Sequence, residues 1–387
     1  MVSASVFFPY LPHIARLCLV TGGLVAIMAP AAAAPPLGLP PVAAPMDNPT
    51  TPEKAALGEA LFNDARFSAT GKVSCATCHD PSKAFTDSPL RVSKGINDLT
   101  GTRNAPTVVN AAYMKRQFWD GREASLESQS KQPFLNPVEM ALPSHAPILA
   151  IVRGDPAYAD LFRAAFGVSG EGITIDHVAQ AIASFERTVV SGDSPFDRYY
   201  FAGDKTAMSA AAVRGLEVFV NQGRCVSCHT ISQSFALFTD SKFHNLNVSF
   251  DKIATGVKEL AAAQLAQKAQ GADVDVKVLT EVAASELGRY MVSERFQDIG
   301  AFKTPTLRNV ARTAPYMHDG SLETLEAVVD FYNNGGRVKP DDPINDFQSG
   351  GIRPLELDDM QKADLVAFLE ALTSPQFAAA RKEGSQP

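Results

Sequence analysis

The 387-residue sequence predicts a mostly α-helical chain made of two similar units, and three observations carry that expectation. Cys-x-x-Cys-His occurs twice, as Cys75-Ala-Thr-Cys78-His79 and as Cys225-Val-Ser-Cys228-His229. Each copy follows a stretch with apolar residues at helical spacing and then a glycine-containing loop. Leu57, Leu61 and Phe62 precede Gly71, while Val213, Leu216, Val218 and Phe219 precede Gly223. Two more stripes of helical period complete the pattern: Val178, Ile182, Phe185 and Val189, then Met360, Leu365, Phe368 and Leu369. A hydrophobic content of 45% with 20% charged residues suits a soluble chain with real cores.

The repeated motif carries specific chemistry. Two thiols three residues apart can each form a thioether to a haem vinyl group, and the adjacent imidazole can then ligate the iron. Zinc ribbons also use two Cys-x-x-Cys pairs, but only about 15–20 residues apart, far closer than these two pairs. A thioredoxin-like pair needs no following His. The sequence therefore predicts two cytochrome c-like haem domains with a shared inter-haem interface. Cys75, Cys78, Cys225 and Cys228 hold the haems covalently, and His79 and His229 are their proximal ligands.

Taken in order, residues 1–33 read as a secretory signal. His13 and Arg16 precede an apolar run from Leu17 to Met28, and Ala31-Ala32-Ala33 offers a small-residue cleavage site. The run is broken by Thr21-Gly22-Gly23 and is shorter than the roughly 20 residues of a spanning helix. The expected location is periplasmic, with no membrane contact after signal cleavage. Residues 34–52, rich in Pro and Ala, read as an extended lead-in with no packed role. The first haem domain is expected over 53–190 and the second over 196–375, separated at Ser191-Gly192-Asp193-Ser194-Pro195. Within the second, Lys252 to Ala284 reads as an exposed helical insertion, a solvated element with no chemistry. The net charge of −7 gives no reason to expect a nucleic-acid partner.

Five stretches then resemble the bacterial di-haem cytochrome c peroxidase family: Gly101-Thr-Arg-Asn-Ala-Pro-Thr107, Gln117-Phe-Trp-Asp-Gly-Arg122, Asn136-Pro-Val-Glu-Met140, Thr304-Pro-Thr-Leu-Arg-Asn309 and Ala314-Pro-Tyr-Met-His-Asp-Gly320. Their order and separations agree with the family as well as their wording. The resemblance implies a peroxide-reactive haem in the first domain and an electron-transfer haem in the second. Trp119 would lie between them. Glu139 matches the distal carboxylate that moves a proton between the peroxide oxygens, and Gln129 and Pro133 match pocket-lining positions. It also implies a calcium ion held by the Asn104 side chain and the carbonyls of Thr313 and Pro315.

Two departures from the ordinary pattern point to one branch. Counting back from Trp119 to the family's first-haem distal His lands on Gly95-Ile96-Asn97, and no His occurs between His79 and His145. The first haem is thus expected to keep an open sixth position. The usual distal Met of the second haem, counted from the His of the Pro-Tyr-x-His-Asp-Gly motif, falls on Tyr332. A Tyr there resembles the methylamine-utilisation (MauG-like) branch. Otherwise Tyr332 is a buried aromatic beside Val328 and Phe331, with Met317 as the rival ligand if the loop leaves the family path. An anionic phenolate lowers the potential where a thioether raises it, and axial identity spans roughly 0.8 V in haem proteins.

The expectation is an enzyme that reacts with hydrogen peroxide, shares the oxidising equivalents over two haems and oxidises a residue, a Trp, on a partner protein. The alternative is a peroxidase fed by a small cytochrome or cupredoxin. A plain electron carrier is disfavoured by Glu139 and by the missing distal His.

Overall fold

Paired helices, most of them started by a side-chain cap, frame the two motif-bearing halves. In the first half, α1 (Pro52–Asn63) starts at Thr51, whose hydroxyl accepts from Lys54 N, with Pro at the first helical position. Helices α2 (Ala146–Gly154) and α3 (Pro156–Phe166) follow, and then α4 (Ile175–Glu186) opens on a reciprocal Thr174/His177 cap. In the second half, α5 (Ala210–Val220) is capped by Ser209. Three helices, α6 (Val257–Ala269), α7 (Val274–Thr280) and α8 (Val282–Glu286), fill the insertion. The chain closes with α9 (Leu325–Asn333) and α10 (Asp359–Glu370). The one named sheet among the described residues pairs β1 (Phe243–His244) antiparallel with β2 (Phe302–Lys303).

The two halves repeat one helix crossing. Gly58 of α1 meets the Ala181 carbonyl and Phe185 Cβ of α4; Gly215 of α5 meets the Asp364 carbonyl and Phe368 Cβ of α10. A Cβ at either glycine would lie 1.9 Å from the facing carbonyl oxygen. Glycine costs a helix interior about 1 kcal/mol relative to Ala, and both helices accept that cost at the same place, where their backbones touch. Each crossing anchors its own hydrophobic cluster: Leu57, Leu61, Phe62, Phe134 and Ile182 in one, Leu216, Phe219, Phe238, Leu365 and Phe368 in the other.

The molecule is a computed structural model that describes residues 34–342 and 344–378, together with 1, 2 and 5. The signal expected over residues 1–33 lies, apart from those three positions, outside the described residues. No helix among the described residues is long and apolar enough to cross a membrane. From Pro35 onward the chain packs as one compact unit.

Three expectations are corrected. The lead-in is packed: Leu39 and Asn48 are buried, and the Gly38 carbonyl accepts from Arg308 Nη2 at 2.7 Å and from Ala236 N at 3.0 Å. Its Pro/Ala composition hides this role because backbone carbonyls do the bonding. The insertion is not a bare solvated element, since Ala261, Val278, Leu279 and Ala284 join Leu287, Tyr290 and Ile299 in a third core. Met360 is exposed rather than inward, because the buried face of α10 runs through Asp364, Leu365, Phe368 and Leu369. The 191–195 stretch is a buried junction: Ser191 bonds Asn110 through its backbone N and O and Asn309 through its hydroxyl.

Candidate functional site

Cys75–Cys78 forms a single helical turn closed by Ser74 N donating to Thr77 Oγ1 at 2.9 Å. Cys225–Ser227 forms the corresponding 3-10 turn. Beyond each turn the proximal imidazole is oriented in the same way. His79 Nδ1 faces the Phe85 carbonyl at 3.2 Å, and His229 Nδ1 faces the Phe238 carbonyl at 2.8 Å. Donation from Nδ1 to a carbonyl leaves Nε2 with a free lone pair, the arrangement a metal-ligating His requires. Burial lowers both imidazole pKa values. The two carbonyls are presented by Phe85 and Phe238, both left-handed in backbone. Each loop is pinned by a threonine, Thr107 to the Ala84 carbonyl and Thr306 to the Leu237 carbonyl. Among the described residues, Cys75, Cys78, Cys225 and Cys228 form no disulfide with one another.

A cavity beside the first motif brings the predicted residues together. Cys75, Cys78 and His79 form one wall; Trp119, Gln129, Pro133 and Glu139 form others. The Glu139 carboxyl makes no hydrogen bond, and its Oε2 is fully buried. Burial, then the Asp275 charge, push its pKa up to about 8, against a smaller downward pull from Arg122. Gly95, at the position counted for a distal His, also lines this cavity. Its Cα approaches so closely that a Cβ would lie 2.0 Å from the Val138 carbonyl oxygen. Ile96 N then donates to the Glu139 carbonyl at 2.9 Å, so this loop straps the turn that carries Glu139. No described histidine but His79 lines the cavity. His145 bonds the Lys131 carbonyl, His177 caps α4, His244 pairs with Asp240, and His318 bonds Glu286.

Trp119 ties the halves together. Its Nε1 donates to the Asn104 carbonyl at 2.8 Å, and its own carbonyl accepts from Lys303 N at 2.7 Å. In return Asn104 N donates to the His318 carbonyl at 2.9 Å. Trp119 and His318 thus occupy equivalent turns, with Phe118 and Met317 left-handed before them and Gly121 and Gly320 after.

At the second motif Tyr332 sits on α9 with its hydroxyl free of hydrogen bonds. Burial, then the Cys225 and Cys228 sulfurs, raise its pKa. The phenol is therefore held in electrostatic reach of both thioether-forming residues. For the expected calcium, Asn104 commits its amide nitrogen to the Leu90 and Arg91 carbonyls, which leaves Oδ1 uncommitted. The Thr313 and Pro315 carbonyls accept no backbone hydrogen bond either. Three hard oxygens without partners fit such an ion.

Sequence reading missed several residues. Arg122, ion-paired with Asp120 at 3.1 Å and Asp275 at 2.6 Å, lines the first cavity. Glu286 of α8 holds His318, whose ring stacks on Phe302 at 3.6 Å. His244 Nε2 bonds Asp240 at 2.9 Å, and the ligand atoms of His244, Asp240 and Cys228 lie within 4.8 Å of one another. Asp275 and Glu286 stand among other acidic residues of the insertion, Glu259, Asp273 and Glu281, and composition cannot separate a buried acid from that solvated face.

A family model described as di-haem cytochrome c peroxidase matches residues 52–206. The methylamine utilization protein MauG of Methylorubrum extorquens is 39% identical over 340 residues, covering 86% of this chain and 82% of its own. The cytochrome-c peroxidase IdrP1 of Denitromonas iodatirespirans is 38% identical, covering 88% and 86%. Among solved structures, a MauG-like protein associated with microbial copper homeostasis aligns with a TM-score of 0.71 and 32% identity, covering 89% of this chain and 97% of that one.

Proposed function

This chain belongs to the di-haem cytochrome c peroxidase family, an oxidoreductase acting on hydrogen peroxide, and from that premise we propose that it spreads peroxide's oxidising equivalents over two c-type haems to oxidise a residue of a partner protein. The observation that supports this reading is Tyr332, a half-buried phenol without a hydrogen bond, whose pKa is raised by desolvation and then by the nearby Cys225 and Cys228 sulfurs of the second motif. We assign it as the distal ligand there, and we take the partner residue to be a Trp, reached by electron transfer across the surface rather than in a pocket.

A haem held by Cys75, Cys78 and His79 would supply the redox chemistry with peroxide. The side chains do the rest. Glu139 accepts a proton from the inner peroxide oxygen and returns it to the outer one, which leaves as water. Gly95, packed against the Val138 carbonyl, brings no side chain into the cavity beside His79. Trp119, bonded to Asn104 and Lys303, holds an oxidisable ring in fixed orientation between the halves. Calcium at Asn104, Thr313 and Pro315 would brace the segment that also carries the Trp119 contact.

The reading is tested on Tyr332→Phe and Tyr332→Met, with the second haem followed by spectroelectrochemistry. Loss of the phenolate raises its reduction potential in both variants, and partner oxidation fails before peroxide consumption does. An unchanged potential and low-spin spectrum in Tyr332→Phe would reduce Tyr332 to core packing. The second reading, peroxide detoxification with electrons from a small cytochrome or cupredoxin, is favoured by the peroxidase-named relative at nearly equal identity. It would then take first place.

A further inference from the structure

The insertion reaches the first cavity through Leu279, and behind that wall Asp275 bonds both Arg122, which lines the cavity, and Asn136, which starts the turn that carries Glu139. Its Oδ1 accepts from Arg122 Nε at 2.8 Å, and its Oδ2 accepts from Asn136 Nδ2 at 2.9 Å. Its backbone carbonyl takes a second bond from the same amide at 3.2 Å. Asn136 in turn builds the Glu139 turn: its carbonyl accepts from Glu139 N and Ala141 N, and its Oδ1 from Val138 N. Arg122 is fixed on three sides, by Asp275, by Asp120 and by the Phe118 ring 3.4 Å below its guanidinium. Asp275 itself is buried and is aimed inward by Asp273, whose carboxylate accepts from Asp275 N at 2.8 Å.

We propose that Asp275 is a positioning residue for peroxide activation: it clamps the Asn136 turn that carries Glu139 and holds Arg122 as a neutralised cation beside it. The inference rests on the acid–base reading of Glu139 given above. The charged groups that face Glu139 are Asp275, which opposes its ionisation, and Arg122, which favours it. Behind Arg122 stand Asp120 and its second partner Arg103, at 2.7 Å. The nearby Cys75 and Cys78 sulfurs are thioethers in the loaded protein and do not titrate. Removing the Asp275 carboxylate therefore takes one negative charge away from Glu139 and leaves Arg122 paired with Asp120 alone, and both changes favour ionised Glu139.

Cyanide binding to the first ferric haem reads this without turnover, because HCN must lose its proton to a distal base. In the wild-type protein the association rate rises with pH along a limb that Glu139→Gln abolishes. In Asp275→Asn, checked for full haem content, the limb moves to lower pH by ~1 unit, the size expected for a neighbouring charge. A limb at the wild-type position in Asp275→Asn overturns the proposal. If that variant loads no haem, Asn136→Ala decides. A slowed association with the limb in place supports the clamp, and a wild-type rate overturns it. A limb that survives in Glu139→Gln would instead sink the Glu139 reading, and this inference with it.

Discussion

On the proposed reading, peroxide activation turns on Glu139. A buried carboxyl without a hydrogen bond is costly in its charged form, and Asp275 adds to that cost, so its pKa rises to about 8. The sign follows from its task. Proton acceptance needs the carboxylate, which is the minor form below that value. The peroxide reaction of the oxidised protein should therefore accelerate as pH climbs from 6 to about 8 and level off above it. Glu139→Gln should be slower by roughly 10²–10⁴-fold and lose that dependence, as stopped-flow mixing across pH would measure. Equal rates in the two proteins would strip Glu139 of its role. At this scale the sequence was most legible where a motif names its own residues, as with His79, His229, Trp119 and Glu139. It was silent on Asp275 and Glu286, because a buried acid and a surface acid are the same letter until the chain folds.

At the scale of elements, the glycine crossings bind each half. Both apolar stripes were readable from their period, yet nothing in the spacing of Leu57 and Leu61 shows that Gly58 must touch the Ala181 carbonyl. That requirement comes from the partner helix, more than a hundred residues away. Gly58→Ala and Gly215→Ala should each destabilise by about 1–3 kcal/mol through overpacking. The control is Gly154→Ala at the end of α2, where a Cβ would meet nothing within 4 Å. Thermal unfolding should show a lowered Tm for the first two and little change for the third. An unshifted Tm in Gly58→Ala would mean the crossing relaxes freely. The insertion was misread for a related reason. Its helices carry Ala, Gln and Lys outward, and the apolar residues that join the third core are sparse. Its strongest ties are polar: Thr102 Oγ1 to the Val278 carbonyl, and Arg103 to Ser285.

Across the whole molecule, the two halves present matching machinery that has diverged at a few positions. Trp119 stands where the second half has His318. The proximal imidazoles share one orientation, while the far sides differ: Glu139 over an unblocked cavity in one half, Tyr332 in the other. On the proposed reading, that difference would let the first site meet peroxide while the second stores charge, with Asn104, Trp119, Lys303 and His318 bonded across the boundary. The central claim is that the first site is open at rest because Gly95 leaves nothing to expel. Rapid mixing of the fully oxidised protein with one equivalent of hydrogen peroxide tests it most directly. Both haem spectra should change at once, with no reductant added, and two oxidising equivalents should remain for back-titration. A protein that stays silent until one haem has been reduced would contradict the account.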